Sequence, residues 1–167
     1  MIGAKRLLLQ ILNYAVFMGL VGYFSFMPPY ARLQPDEAMI TLAISHAGER
    51  VQECRKMDPA EMAKLPPNMR VATECPRERS PVTVKVLLDK LKVIDRVVTA
   101  PGLYNDQGVD IYESVRVPTG NYRLSILMND NVRIEGPTYQ HQQPISLSPA
   151  QLVVIQFQDS SGQFRIK

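Results

Sequence analysis

"VTVKVLLDKLKVIDRVVTA" (Val82–Ala100) decides the fold. Val82, Val84, Val86 and Leu88 fall on one side, with Thr83 and Lys85 on the other. Side chains that alternate with period two line one face of a strand, whereas a helix needs apolar residues three and four apart. Asp89-Lys90 begin a turn, and "KVIDRVVTA" returns as a second strand.

The same pattern continues toward the C-terminus. "PGLYNDQGVD" (Pro101–Asp110) is dense in Gly, Asn and Asp and reads as a loop. "IYESVRVP" is a third strand, and "TGNYRLSILMND" a fourth, with Tyr122, Leu124, Ile126 and Met128 facing inward. Asn129-Asp130-Asn131 turn the chain, and "VRIEG", "TYQHQQPISLS", "QLVVIQFQD" and "QFRIK" complete the set. Upstream, "AMITLAIS" (Ala38–Ser45) places Ile40, Leu42 and Ile44 on one side. Strands at this spacing, with turn chemistry between them, predict a mainly-β antiparallel sandwich of seven to nine strands.

One stretch carries a resemblance. "VRVPTGNYRLSILMND" (Val115–Asp130) resembles the P-x-G-x-Y-x-L corner of carboxypeptidase regulatory-like and related transthyretin-like or Ig-like sandwiches, here Pro118, Gly120, Tyr122 and Leu124. Pro and Gly turn the corner and the aromatic plugs the core. The resemblance implies a fold and no activity.

The N-terminus differs in kind. "LLLQILNYAVFMGLVGYFSFM" (Leu7–Met27) is 21 residues, close to what a helix needs to cross the hydrocarbon of a bilayer. Secretory signals have a shorter apolar region and small residues at the cleavage site. Here Phe24, Phe26, Met27 and two prolines occupy that place. The expectation is a retained single-pass anchor. Lys5 and Arg6 precede it, and Arg32, Asp36 and Glu37 follow, so the positive-inside bias puts residues 1–6 in the cytoplasm. Residues 28–37 read as a proline-rich spacer, and 38–167 as an exported, periplasmic domain of a bacterial inner-membrane protein. Along the helix, Ala15, Gly19 and Gly22 share a small-residue stripe below Leu8 and Ile11. Gln10 and Asn13 lie opposite, with Phe17 and Phe24. Small residues admit a close neighbour, and amides in hydrocarbon need partners. Both features suit packing against a larger membrane subunit; a passive anchor is the plainer alternative.

Residues 47–80 form an excursion from the strand pattern. Eight of the thirteen prolines fall in 28–81, which leaves no room there for a long element. "DPAEMAKL" predicts one short helix near 59–65: Asp58 caps, Pro59 fits the first turn and Glu61 follows three residues after the cap. Cys54 and Cys75 flank this helix and are the chain's two cysteines. In an oxidising compartment they predict one disulfide. A soft-metal site is the alternative: His46, Cys54 and Cys75, with Met57, Met62 and Met69, offer donors for Cu(I). No C-x-x-C or Met-x-x-Met cluster supports it.

Chemistry is otherwise sparse. Net charge is +3 with no basic block, which argues against nucleic acid. The two histidines are His46 and His141, and His141 reads as an exposed strand residue. Asn105, Asp106 and Asp110 lack the spacing of a calcium loop. Arg77 and Arg79 beside Glu78 suggest a solvated loop or a grip on an acidic partner, and Tyr104 and Tyr139 suggest docking or edge packing. No nucleophile–base–acid motif is present, so the expectation is a non-enzyme without cofactor or small-molecule substrate. The layout resembles small accessory subunits of bacterial respiratory oxidases, which implies larger integral membrane subunits as partners. A periplasmic copper chaperone and an envelope ligand-binding module using loop 101–110 are the alternatives.

Overall fold

The computed structural model describes residues 2–27 and 33–167. The chain divides into two units, an N-terminal helix and a β body spanning 35–167. Half of the expected spacer, 28–32, lies outside the described residues.

Helix α1 covers Ile2–Phe26, and its stretch Gly3–Phe26 is long and apolar enough to cross a membrane. At 1.5 Å per residue it is about 37 Å long, enough to cross a bilayer core of about 30 Å. It starts five residues before the predicted span, since the helix also takes in Lys5 and Arg6 ahead of the apolar run.

The body contains eight long strands in two sheets and a separate two-stranded ribbon. In chain order these are β1 (Glu37–His46), β2 (Arg55–Lys56), β3 (Thr73–Glu74), β4 (Val82–Leu88), β5 (Leu91–Val98), β6 (Val109–Pro118), β7 (Gly120–Asn129), β8 (Tyr139–Leu147), β9 (Leu152–Gln158) and β10 (Gln163–Ile166). One sheet has the order β10-β9-β1-β6, the other β5-β4-β7-β8, and β2 pairs with β3. The inward residues of β4, Val82, Val84 and Val86, meet those of β1 and β7 in one core. Ile40, Leu42, Leu124 and Ile126 have no exposed surface. The alternation read in the sequence is therefore the alternation between core and solvent.

Three details depart from expectation. The ladder between β1 and β9 is parallel, unlike the others. Alternation places residues on a face but carries no information about which strand lies beside which, or in which direction. "VRIEG" is not a strand: residues 132–136 are turn and bend. Val132 and Ile134 are exposed there, so the segment has no core face to bury. The short helix α2 is Pro59–Ala63 and buries no residue fully. Its predicted cap holds, since the Asp58 side chain accepts from the Ala60 N–H at 3.1 Å. Pro66-Pro67 open a separate single turn of 3₁₀ helix, Pro67–Met69.

The corner at Pro118 has a clear physical basis. β6 and β7 belong to different sheets, yet only Thr119 separates them. Gly120 adopts φ 151, and a side-chain carbon there would meet the Tyr122 ring at 3.3 Å. The Tyr122 hydroxyl donates to the Pro118 carbonyl at 3.3 Å. Tyr122 is half-buried and caps the corner, while Leu124 enters the core.

The β5–β6 side of the sandwich is closed by charge. Arg96 pairs in register with Val84, and Glu113 with Leu42, so both occupy inward-facing positions. Arg96 Nε donates to Glu113 Oε2 at 2.6 Å and Nη2 to Oε1 at 2.9 Å.

Candidate functional site

The densest polar chemistry lies at the end of the sandwich where β1, β7 and β9 terminate and β4, β6, β8 and β10 begin. The linker joins the body at the other end of β1, ten residues or about 33 Å of strand away. His46 ends β1, Asp130 follows β7, and Asp159 opens the turn from β9 to β10. His46 Nε2 lies 2.8 Å from Asp130 Oδ2, and Nδ1 lies 2.7 Å from Asp159 Oδ1. The imidazole therefore joins the two sheets and one hairpin turn. Its side chain is 9% exposed, that of Asp130 3% and that of Asp159 57%.

Aromatic rings and a hydroxyl complete the cluster. Phe157 contacts the imidazole edge-on at 5.1 Å between centroids, and Tyr139 packs on Phe157 at 4.9 Å. Thr138 donates its hydroxyl to Asp130 Oδ1 at 2.7 Å. The hydrogen bond to Asp130 pushes the His46 pKa up; burial opposes it, and Asp159 adds to the rise. For Asp130, burial works to raise the pKa, but the hydrogen bonds from His46 and Thr138 outweigh it and hold the carboxylate below its ordinary range. Burial raises the Tyr139 pKa, and the charges of Asp130, Glu49 and Asp159 add to that. Chemically this is a charged clamp. Both ring nitrogens already face carboxylate oxygens, so His46 has no free nitrogen to act as a general base.

Loops beside the clamp are tied to it through the backbone. The Asp130 carbonyl accepts from the Glu49 N–H at 2.8 Å, and the Glu49 carbonyl from the Ser80 N–H at 2.7 Å. Gly48 is required by close approach: a side-chain carbon would sit 2.2 Å from the Ser80 carbonyl oxygen. Arg79 Nε donates to the Asp106 carbonyl at 3.0 Å and Nη1 to the Gly48 carbonyl at 2.9 Å. Arg77 pairs with the Asp106 carboxylate and stacks over Tyr104, 4.7 Å from the ring centroid. The two arginines thus hold the chain's own acceptors rather than stand free for an acidic partner. Between them, loop 101–107 is braced and presents Leu103 outward.

The predicted cysteine pair is a disulfide, Cys54–Cys75. It closes one end of the β2–β3 ribbon, where Arg55 pairs with Glu74. Bridging consumes both thiols, so the soft-metal alternative of His46, Cys54 and Cys75 loses its sulfur donors, and its imidazole lies between Asp130 and Asp159. Met57 and Met69 instead line an open hollow with Leu65 and Val71, and Met62 is half-buried. His141 is half-buried rather than exposed; it shares the inward side of β8 and lies 3.2 Å from Gln143 Oε1. Tyr139, on the edge strand β8, packs against His46 and Phe157 of the clamp. On α1, Gln10, Asn13, Ala15 and Gly19 are exposed and Gly22 half-exposed.

Sequence reasoning singled out His46 but missed both of its partners. Asp130 lies 84 residues away and Asp159 113, each next to a turn. No spacing rule links such positions; the only linear hint is that each acid directly follows a strand. Comparison of the chain with protein-family models, curated proteins and solved structures finds no match to any of them, so the reading of this clamp rests on its own residues.

Proposed function

We propose that the chain is a non-catalytic accessory subunit of a bacterial inner-membrane complex, of the respiratory, haem-copper oxidase-like kind. In this reading α1 is a retained anchor with its N-terminus in the cytoplasm. The β body stands in the periplasm and steadies or shapes a docking surface on larger subunits. The supporting observation is α1 itself. Its apolar side chains are exposed along the described length, and nothing lies within 4 Å of where side chains on Gly19 and Gly22 would begin. The Ala15, Gly19 and Gly22 stripe and the Gln10 and Asn13 amides are what a neighbouring helix would use. Lys5 and Arg6 support the orientation. The Cys54–Cys75 bridge supports an oxidising compartment.

Native electrophoresis after solubilisation in a mild detergent tests this reading. The expected result is co-migration of the chain with haem absorbance in a large complex, lost on Gly19→Leu or Gly22→Leu while the β body stays folded. A small, haem-free species from wild-type membranes would sink it.

A further inference from the structure

We propose that the clamp is a proton-operated latch on the β9–β10 turn: deprotonation of His46 releases Asp159 while Asp130 stays bound. An imidazolium has two N–H groups, and both are used, on Asp130 and on Asp159. A neutral imidazole has one. Once it is neutral, one ring nitrogen carries a lone pair facing a carboxylate oxygen at hydrogen-bond distance, which repels.

Burial decides which contact breaks. Asp130 is almost inaccessible and would be left unsolvated if abandoned. Asp159 is more than half exposed, and water can take over its hydrogen bonds. The remaining proton therefore stays on Nε2, toward Asp130. The groups facing His46 are Asp130 after β7, Asp159 after β9 and Tyr139 on β8, with Glu49 acting on Tyr139 from the loop after β1. All four favour the cation or stay neutral, so none competes for the proton's role.

The turn is closed internally by its own hydrogen bonds, Gln158 Nε2 to Ser160 Oγ and the Ser161 hydroxyl to the Gln158 carbonyl among them, but little else ties it across to β8. Ser161 and Gly162 close it on the Gln158 carbonyl, and Gly162, at φ 63, lies against Tyr139, where a side-chain carbon would come within 3.2 Å of the ring. Without the Asp159 anchor, only that packing joins the turn to β8. Opening it would uncover the His46, Tyr139 and Phe157 cluster at the sandwich end opposite the linker. The latch depends on the geometry of the β body alone and holds whether or not α1 joins a larger complex.

NMR titration of the full chain in detergent micelles tests it. The ring of His46 should titrate above the ordinary imidazole value of 6.5. The amides of Ser160, Ser161 and Gly162 should shift with the His46 midpoint, while that of Thr138 stays near its starting value. Asp159→Asn, at an exposed position, should leave the fold intact and abolish the shift of the turn amides. His46→Gln should make them independent of pH. The proposal fails if the turn amides stay still through the His46 titration. It also fails if Thr138 moves in their place, or if the response survives Asp159→Asn.

Discussion

The two-sheet body and the excursion between β1 and β4 are adjacent in sequence and held by different forces. The body buries Val, Ile and Leu at alternate positions of β1, β4 and β7, and its inner faces pack on one another. The excursion, 47–80, has almost no buried apolar side chain. A disulfide, a two-residue ribbon, a capped five-residue helix and arginine-to-carbonyl hydrogen bonds define it instead. Cooperative stability follows buried apolar area, whereas cross-links and polar ties order a segment locally. The body should therefore melt as one unit, and the excursion should be able to fray alone.

The largest effect should come from the core. Ile126→Ala removes a fully buried side chain between β4 and β8 and should cost about 4 kcal/mol in urea unfolding of the full chain. A much smaller loss would mean the body is not the cooperative unit. His46→Ala should come next, at about 2 kcal/mol, because Asp130 is left buried with Thr138 as its remaining side-chain partner.

Cys54→Ser with Cys75→Ser sharpens the contrast most directly. Closing a loop of that size contributes about 3 kcal/mol when the whole chain unfolds with it. If the excursion frays by itself, the reduced native state regains that entropy. The body's unfolding midpoint should then fall by well under that amount, while proteolysis speeds up at Lys56, Lys64 and Arg70. A loss of the full amount would show that excursion and body unfold together.

Stability against pH should be a dome. The His46 contribution is complete below its ordinary value of 6.5 and disappears as pH rises through its raised folded value. The Asp130 contribution is complete above 3.8 and disappears as pH falls through its lowered folded value. Urea midpoints across that range should be highest between the two, and His46→Gln should flatten the alkaline side. Smallest of all should be Arg96→Gln. Its pair with Glu113 closes a sheet edge that is open to water, so the midpoint should barely move at moderate salt.

Legibility tracked the force involved. The inward residues of β1, β4 and β7 were readable because core burial repeats every second residue. In β5 the repeat is weak: Ile94 is buried, Val97 is exposed, and a bulge lies opposite at Val86/Leu87. "VRIEG" imitated a strand because Val132 and Ile134 alternate with charges, yet no partner strand covers them. The cysteine pair was readable from count and compartment. The roles of Arg77 and Arg79 were not, since their acceptors are a backbone carbonyl at Gly48 and groups of Asp106.

By itself, the sequence determined an apolar N-terminal helix of membrane-spanning length, a period-two β body, the Asp58 cap and the corner at Gly120. Each is set by residues within a few positions of one another, where spacing and backbone preference act directly. Only the tertiary structure decided the parallel pairing of β1 with β9, the meeting of Arg96 with Glu113, and the placing of His46 between Asp130 and Asp159. Those depend on which strand ends come together when the two sheets close, a long-range outcome of core packing that no local pattern encodes.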